Sequence, residues 1–541
     1  MNTPSIDADG DADPVIGAIV AGRTALGIEF GSTRIKAVLI GEDHEPLAVG
    51  SHHWENQFVD RLWTYPLEAV RAGLQDCYAS LAADVKARYG VQLTTVGVLG
   101  VSAMMHGYLA LDADGQLLTP FRTWRNTNTG AAVQVLSRLF GHNIPHRWSI
   151  AHLYQAVLDG EEHVPRIAHL TTLAGWVHWQ LTGHRVLGIG DASGMFPIDI
   201  TSGGYDPDMI GKFGDLVAGR GLVAGLDDLL PEIRRAGEPA GTLTEAGARL
   251  LDPSGALQPG VPVCPPEGDA GTGMVATNSV APRTGNVSAG TSIFAMIVLD
   301  RELSHVHDEL DLVTTPAGDL VAMAHCNNGA SELDAWAGLF AQFAAAAGAD
   351  LDTGAVFETL FRSALDGAPD CAGMMAFNYL AGEPITGLHA GRPLFLRSPD
   401  SALDLPTFMR TQLYSALATL RLGMDVLLKD EGVGLERMFA HGGLFTTKGV
   451  AQRFLAAAID TPVSVGATAA QGGPWGMAVL AAYLVHRRPG QDLTDYLNTV
   501  VFADAELDEV KPDPTDVAGF DAFTRRYVTA LAVQQAAIEN T

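Results

Sequence analysis

Glu29, Gly31, Ser32 and Thr33 stand close together in the run Gly27-Ile28-Glu29-Phe30-Gly31-Ser32-Thr33, which leads into the apolar stretch Arg34-Ile35-Lys36-Ala37-Val38-Leu39-Ile40. A second run is built alike: Gly285-Asn286-Val287-Ser288-Ala289-Gly290-Thr291-Ser292, followed by Ile293-Phe294-Ala295-Met296-Ile297-Val298-Leu299. Each reads as an apolar strand, a turn of Gly, Ser and Thr, and a second apolar strand. Such a turn points backbone N–H groups and hydroxyls into one small space, which suits phosphate oxygens. One such hairpin means little. Two of them, half a chain apart, imply two lobes of common design that grip one nucleotide.

Glu29 sits just before the first turn. A carboxylate beside a phosphate is unfavourable unless a cation intervenes, so Glu29 is a candidate Mg²⁺ ligand, direct or through water. The plainer alternative is a strand-end acid facing solvent. Lys36 either neutralises phosphate or is an edge-strand lysine. Asp269 follows Gly268 and precedes Ala270-Gly271-Thr272-Gly273, where small residues leave room for a ligand. An aspartate there can take the proton of a hydroxyl attacking a γ-phosphate, and it is a second candidate for the metal. Its alternative is an N-cap for a helix starting near Ala270. Met105-His106-Gly107 and Trp124-Arg125-Asn126 flank a short hairpin from Tyr108 to Arg122. Polar groups on an aromatic platform suit a polyhydroxylated ligand, although His106 alone reads equally well as a core histidine. Gly442-Gly443, followed by Leu444-Phe445, allows close approach of a ribose or a flat ring, or marks a tight turn.

The elements that must position these residues alternate between strand and helix, which indicates an α/β class. Leu26–Ile40 reads as a hairpin, 66–89 as a helix and Val96–Val101 as a buried strand. Residues 127–230 read as helical pieces broken by Gly and Pro, an insertion decorating a sheet. In the second half, helices are expected at 331–347, 406–430, 448–459, 474–487 and 515–539. Strands are expected at Arg437–Ala440 and Pro462–Val465. The expected organisation is a loose tail over 1–22, an N-terminal domain over 23–282 and a C-terminal domain over 283–541.

The chain has 541 residues, enough for two or more full cores, and 47% of them are hydrophobic. Lys plus Arg number 34 against 62 Asp plus Glu, a net charge of −28. That balance disfavours a nucleic-acid or anionic-membrane surface. It does not disfavour ATP, whose phosphates need only local donors and a metal ion. Cys77, Cys264, Cys326 and Cys371 have neither zinc-site nor disulfide spacing, which fits reduced thiols in a cytoplasm. No apolar run reaches the length of a membrane span.

Together these segments resemble the FGGY family of carbohydrate kinases, over about residues 25–490. The family's Asp-x-Gly-Thr-(Ser/Thr) motif stands here as Glu29-Phe30-Gly31-Ser32-Thr33. Gly268-Asp269 looks like the family's Gly-Asp, whose aspartate is the catalytic base. Gly285–Ser292 is similar to the second phosphate motif, and Gly442-Gly443 to the adenosine motif. Thr182-Gly183, Asp191-Ala192-Ser193 and Gly382-Glu383-Pro384 resemble further family stretches. The resemblance implies two actin-like, ribonuclease-H-type domains with an interdomain cleft. It implies ATP and Mg²⁺ as cofactors, a sugar as substrate, often a homodimer, and γ-phosphoryl transfer to a terminal sugar hydroxyl. Asp269 would be the base. Lys36, Gly31–Thr33, Gly290–Ser292, Gly442, Gly443 and Phe445 would hold nucleotide, and Met105, His106, Trp124, Arg125 and Asn126 would hold sugar.

Met105-His106 resembles xylulokinases, but Arg125 stands where those enzymes usually carry an acid. The pattern looks most like a branch acting on L-ribulose, with D-xylulose as the alternative. A non-catalytic actin-like ATPase or regulator is the competing class.

Overall fold

The computed structural model describes residues 14–349, 351–466 and 472–541. These divide into two compact units. Unit 1 holds the described residues within Met1–Ala276, Val313–Gly318 and Gln471–Ala503. Unit 2 holds those within Thr277–Leu312, Asp319–Ala470 and Asp504–Thr541.

The sheet of unit 1 is built from β1 (Ala25–Phe30), β2 (Arg34–Ile40), β3 (Pro46–His53), β4 (Val98–Ala103) and β5 (Glu267–Gly268), in the order β5-β4-β1-β2-β3. The first three strands form an antiparallel meander, and β4 and β5 join parallel to β1. Side chains alternate between faces along a strand, so register decides what each face carries. Leu26, Ile28 and Phe30 of β1 stand opposite Leu39, Ala37 and Ile35 of β2 and Leu99, Val101 and Ala103 of β4. All nine are buried in one core with Val70, Leu74, Cys77 and Leu81 of helix α1 (Leu67–Tyr89). That core also takes Leu173, Trp176 and Leu181 of α2 (Leu173–Thr182), so this part of the expected insertion is integral to the unit.

The opposite face is different. Gly27 lies beside Val38 and Gly100 in one row, and Glu29 beside Lys36 and Ser102 in the next. The glycines let helix α4 (Gly472–His486) lie directly on the sheet backbone. A Cβ on Gly27 would meet the Pro474 carbonyl at 2.1 Å and the Ala478 nitrogen at 2.4 Å. A Cβ on Gly476 would meet the Thr272 carbonyl at 2.1 Å, so α4 also rests on α3 (Asp269–Ala276).

Unit 2 repeats the plan with β6 (Thr284–Ala289), β7 (Ile293–Val298), β8 (Leu310–Thr314, of which Leu310–Leu312 cluster with this unit), β9 (Leu320–Cys326), β10 (Arg437–His441), β11 (Val463–Gly466) and β12 (Leu507–Val510), in the order β8-β9-β7-β6-β10-β11-β12. Strands β9, β7 and β6 are an antiparallel meander, and β10 and β11 follow in parallel. Three antiparallel strands followed by two parallel ones is thus the arrangement of both units, and the Gly/Ser/Thr turn joins its inner hairpin in each. The helix Leu405–Asp425 is buried along most of its length and carries Arg410 into the core of unit 2. This charge is partnered by Asp516 at 3.0 Å and by the carbonyls of Ala364 and Leu365 at 3.0 Å, as a buried cation requires.

Three expectations about organisation change. Pro14–Val20 is helical with Ile19 buried, so the expected tail is not loose there; residues 1–13 lie outside the described residues. The division between units falls at 276/277. Val313–Gly318 and the segment carrying α4 cluster with unit 1 although they follow the second hairpin in sequence. Lys36 lies on β2, an inner strand with partners on both sides rather than an edge. Among the described residues all four cysteines are buried and free, and no helix is long and apolar enough to cross a membrane.

Replacing Gly27 by Ala forces backbone apart and is expected to lower unfolding stability by about 3 kcal/mol, the upper end for overpacking. Gly214→Ala, in the helix Pro207–Val217 with nothing within 4 Å of the new methyl, serves as control and should stabilise by about 0.5–1 kcal/mol. Urea melts of the two variants check this; equal stabilities would contradict the close approach of α4 to β1.

Candidate active site

In the first turn the carbonyls are all engaged. Gly31 O accepts from the Trp54 indole N–H at 2.7 Å, Ser32 O from the Tyr65 hydroxyl at 2.5 Å, and Thr33 O from the Trp54 amide at 3.2 Å. Trp54 and Tyr65 stack with centroids 4.1 Å apart, which makes a rigid aromatic base. A trans peptide points its C=O and the following N–H in opposite directions. The amides of Ser32 and Thr33 therefore face away from that base, as an anion cradle requires. The Trp124 indole donates to Ser32 Oγ at 3.3 Å.

Acidic groups crowd the same unit. Glu29 and Ser102 are register partners on β1 and β4, and Ser102 and Glu267 on β4 and β5. With Lys36 they form one polar row across four strands. Burial, aided by the charge of Asp269 and opposed by Lys36, pushes the Glu29 carboxyl up to about 8. A Cβ on Gly473 would fall 1.5 Å from Glu29 Oε2, so the glycine at the start of α4 makes the space this carboxylate occupies. Asp269 opens α3; its Oδ1 accepts the Met105 amide at 3.0 Å and its carboxylate also takes the Ala270 amide. Asp269 is thus the first residue of the helix and not a cap preceding it, and its carboxylate keeps exposed surface. Protein crowds around Asp269 and raises its pKa, although the residue keeps exposed surface, which moderates that rise.

Behind it, Glu267 Oε2 accepts the Asp191 amide at 3.0 Å, and Asp191 Oδ2 accepts the Thr172 hydroxyl at 2.6 Å. Burial lifts Asp191 to about 7 and Glu267 well above the carboxylate range. Gly188 and Gly190 make room for Glu267: a Cβ on either would meet its carboxyl oxygens at 2.2 and 2.5 Å.

Among the described residues no group of three or more His, Cys, Asp or Glu is arranged to hold a metal ion. The donor set nevertheless fits Mg²⁺ of the kind that stays largely hydrated and phosphate-bound. Such an ion needs only one or two carboxylates, and the mutual repulsion of Glu29 and Asp269 is what a nearby cation would relieve.

His106 has φ of +71°, uncommon for a non-glycine residue, and it follows β4 as Gly442 (φ +103°) follows β10. Its ring lies 6.4 Å from that of Trp148 in a stacked arrangement, and Nδ1 is 3.3 Å from Gly194 O. Gly107 is held by the Arg147 carbonyl and the Ser149 hydroxyl. Met105 and His106 are both buried, and the Met105 amide reaches Asp269, 164 residues away in the chain. Asn126 differs from expectation. It is 4% exposed, its Oδ1 accepts the Trp63 amide, and its Nδ2 donates to the carbonyls of Trp63 and Thr123. That side chain is buried and bonded to backbone on both its oxygen and its nitrogen, so it serves as scaffold. Arg125 is exposed and stacks on Trp63, its guanidinium carbon 3.9 Å from the ring centre.

In unit 2, Thr291 is exposed, and Gly290 and Ser292 are half-buried. Gly442 is forced by packing, since a Cβ would meet the Ala289 carbonyl at 2.3 Å, whereas Gly443 faces open space. Phe445 is buried at 6% exposure in the hydrophobic core, so it supports the Gly442-Gly443 turn from within and offers no face to a nucleotide. Glu383 is fully buried, and its Oε2 accepts both the backbone and the side-chain N–H of Asn328 at 3.2 and 3.1 Å. Gly473, Glu267, Asn328 and Asn378 have no role assignable from the sequence. Only a glycine run at 472–473 and isolated polar letters hint at them.

Burial raises Glu383 from an ordinary 4.5 to about 7. An acid whose folded pKa is raised keeps its proton while the unfolded chain ionises. Stability is therefore lost as pH rises from 4.5 to about 7, by up to about 3 kcal/mol. Glu383→Gln should flatten that slope and melt higher than the parent at pH 8 but not at pH 4.5. Identical pH profiles of the melting temperature in the two proteins would contradict it.

Comparison with known proteins bears on the whole chain. It is 27% identical over 259 residues to an L-fuculokinase of Salmonella typhi, covering 45% of this chain and 50% of that one. It is 23% identical over 209 residues to a xylulose kinase of Bacillus subtilis (strain 168), covering 36% and 40%. The chain thus spans about half or less of the curated relatives it matches. A solved xylulose kinase from Rhodospirillum rubrum superimposes with a TM-score of 0.76 at 19% identity, over 94% of this chain and 99% of that one, which shows a shared two-domain, actin-like fold. The N-terminal domain model of the FGGY carbohydrate kinases matches residues 24–276 and the C-terminal domain model residues 285–485. With both halves matched in order, on two units of repeated topology, this chain belongs to the FGGY family of carbohydrate kinases.

Proposed function

We propose that this chain is an ATP-dependent carbohydrate kinase that phosphorylates a terminal hydroxyl of a ketopentose. The observation that carries this reading is Asp269: a carboxylate at the start of a helix, fixed by the Met105 amide, still reachable by solvent, and next to Glu29 and the first Gly/Ser/Thr turn. The acceptor oxygen bonds to the γ-phosphorus as the bond to the β,γ-bridging oxygen breaks. ADP leaves with that electron pair, and the hydroxyl proton passes to Asp269. Glu29 and Asp269 are the residues that would hold Mg²⁺, which would supply positive charge beside the phosphate oxygens. Met105 and His106 orient the sugar, and Gly31–Thr33 and Gly290–Ser292 supply amides to phosphate.

For the sugar, L-ribulose ranks first. Arg125, lying on Trp63, brings a cation to a segment expected to bear an acid in xylulokinases. D-xylulose is the competing substrate, favoured by the xylulose kinases among the similar proteins.

ADP release with Mg-ATP and a panel of L-ribulose, D-xylulose, L-fuculose, L-fuculose-derived ketose, glycerol and gluconate tests this. One ketopentose should stimulate strongly; stimulation by none, with ATP still bound, favours a non-catalytic actin-like ATPase or regulator. Asp269→Asn should lower kcat about 10²–10⁴-fold, the range for a general base, and leave KM for both substrates within about threefold. A variant retaining half of the parent kcat would remove Asp269 from this role.

A further inference from the structure

Asn378 lies just past the strand Met375–Phe377 and is 4% exposed. Its Nδ2 donates to two successive backbone carbonyls, Asn328 O at 3.2 Å and Gly329 O at 2.8 Å. Both partners are acceptors, so only the NH₂ end of the amide fits there. The peptide plane then dictates the rest. With the carbonyls of Asn328 and Gly329 drawn to Asn378, the amides of Gly329 and Ala330 point the other way. There they donate to Thr291 O at 2.9 Å and Gly290 O at 2.8 Å. The same rule applied to these two peptides turns the amides of Ser292 and Thr291 outward, on the exposed side of the turn.

The segment that relays this orientation is itself pinned. Asn328 Oδ1 accepts the amides of Leu380 and Ala381 at 2.9 Å, and its Nδ2 reaches Ala381 O and Glu383 Oε2. Contact between segment and turn requires glycine: a Cβ on Gly329 would sit 2.5 Å from Gly290 O and 2.9 Å from Thr291 O.

We infer that Asn378 is a positioning residue that aims the Thr291 and Ser292 amides at nucleotide phosphate through two parallel, two-peptide hydrogen-bond chains. Each chain runs side-chain amide, peptide, peptide, free N–H, and aligned dipoles of this kind strengthen the terminal donor. The inference rests on reading Gly290–Ser292 as the cradle of the transferred phosphoryl group. A residue acting only on fold stability would weaken every ligand alike. This one should weaken binding where the γ-phosphate is present.

The test measures kcat and, by calorimetry, affinity for ADP and for a non-hydrolysable ATP analogue. It uses the parent, Asn378→Asp and Gly329→Ala, with melting temperatures recorded alongside. Asn378→Asp places an acceptor against two carbonyls, and Gly329→Ala pushes on the turn from the other side, so either decides if the other fails to fold. Loss of one preorganised donor to a developing oxyanion costs about 10²–10³ in kcat. Misaiming two should cost at least about tenfold, with analogue affinity down about five- to tenfold and ADP affinity within about twofold. Folded variants with kcat within twofold of the parent overturn the inference alone, as do equal losses for ADP and the analogue. A parent chain that binds neither nucleotide overturns the kinase reading and this inference together.

Discussion

The planarity of the peptide bond is the constraint on which both Gly/Ser/Thr turns depend. A turn can offer N–H groups to an anion only if its carbonyls are held elsewhere. In unit 1 the holding groups are a tryptophan indole, a tyrosine hydroxyl and a backbone amide. In unit 2 they are the amides of Gly329 and Ala330, themselves oriented by an asparagine. Two units with the same strand plan reach the same end with different side chains, because the requirement is geometric and not a matter of residue type.

The second requirement is to keep carboxylates close to where negative phosphate would lie. Glu29 and Asp269 approach each other because α4 lies directly on β1 through Gly27 and on α3 through Gly476, with Gly473 leaving room for the Glu29 carboxylate. The same burial that brings the acids together raises their pKa values. A carboxylate with elevated proton affinity that still meets solvent is suited to receiving a proton from an alcohol, whereas an ordinary surface aspartate is a weaker base. Glu267 and Asp191, sealed behind, tie the turn Gly188–Gly194 to β5 and so connect the strand that delivers Asp269 with the carbonyl beneath His106.

The hairpins, their repeat, the strand-to-helix junction at Gly268-Asp269 and most helices were legible in the sequence, because glycine-bounded turns and apolar periodicity are local signals. What was not legible depends on tertiary packing. Asn126 looks like a sugar ligand by position, yet its three polar contacts close a backbone corner at Trp63. Phe445 stands beside a nucleotide-type glycine pair but turns into the core. The assignment of α4 to unit 1 has no local signature, since a strongly apolar helix fits either core equally well in sequence. Asn378 and Gly473 matter through what they touch from a distance in the chain, and a single sequence carries no trace of that.

Transfer of the γ-phosphoryl group to a sugar oxygen is the claim on which these roles converge. Following the fate of ATP phosphorus by ³¹P NMR, with the parent chain, Mg²⁺ and L-ribulose or D-xylulose, tests it most directly. The account predicts that the γ-resonance is replaced by that of a sugar phosphomonoester, in step with ADP formation. Conversion of ATP to ADP and inorganic phosphate alone, with no sugar ester from either ketopentose, would contradict it.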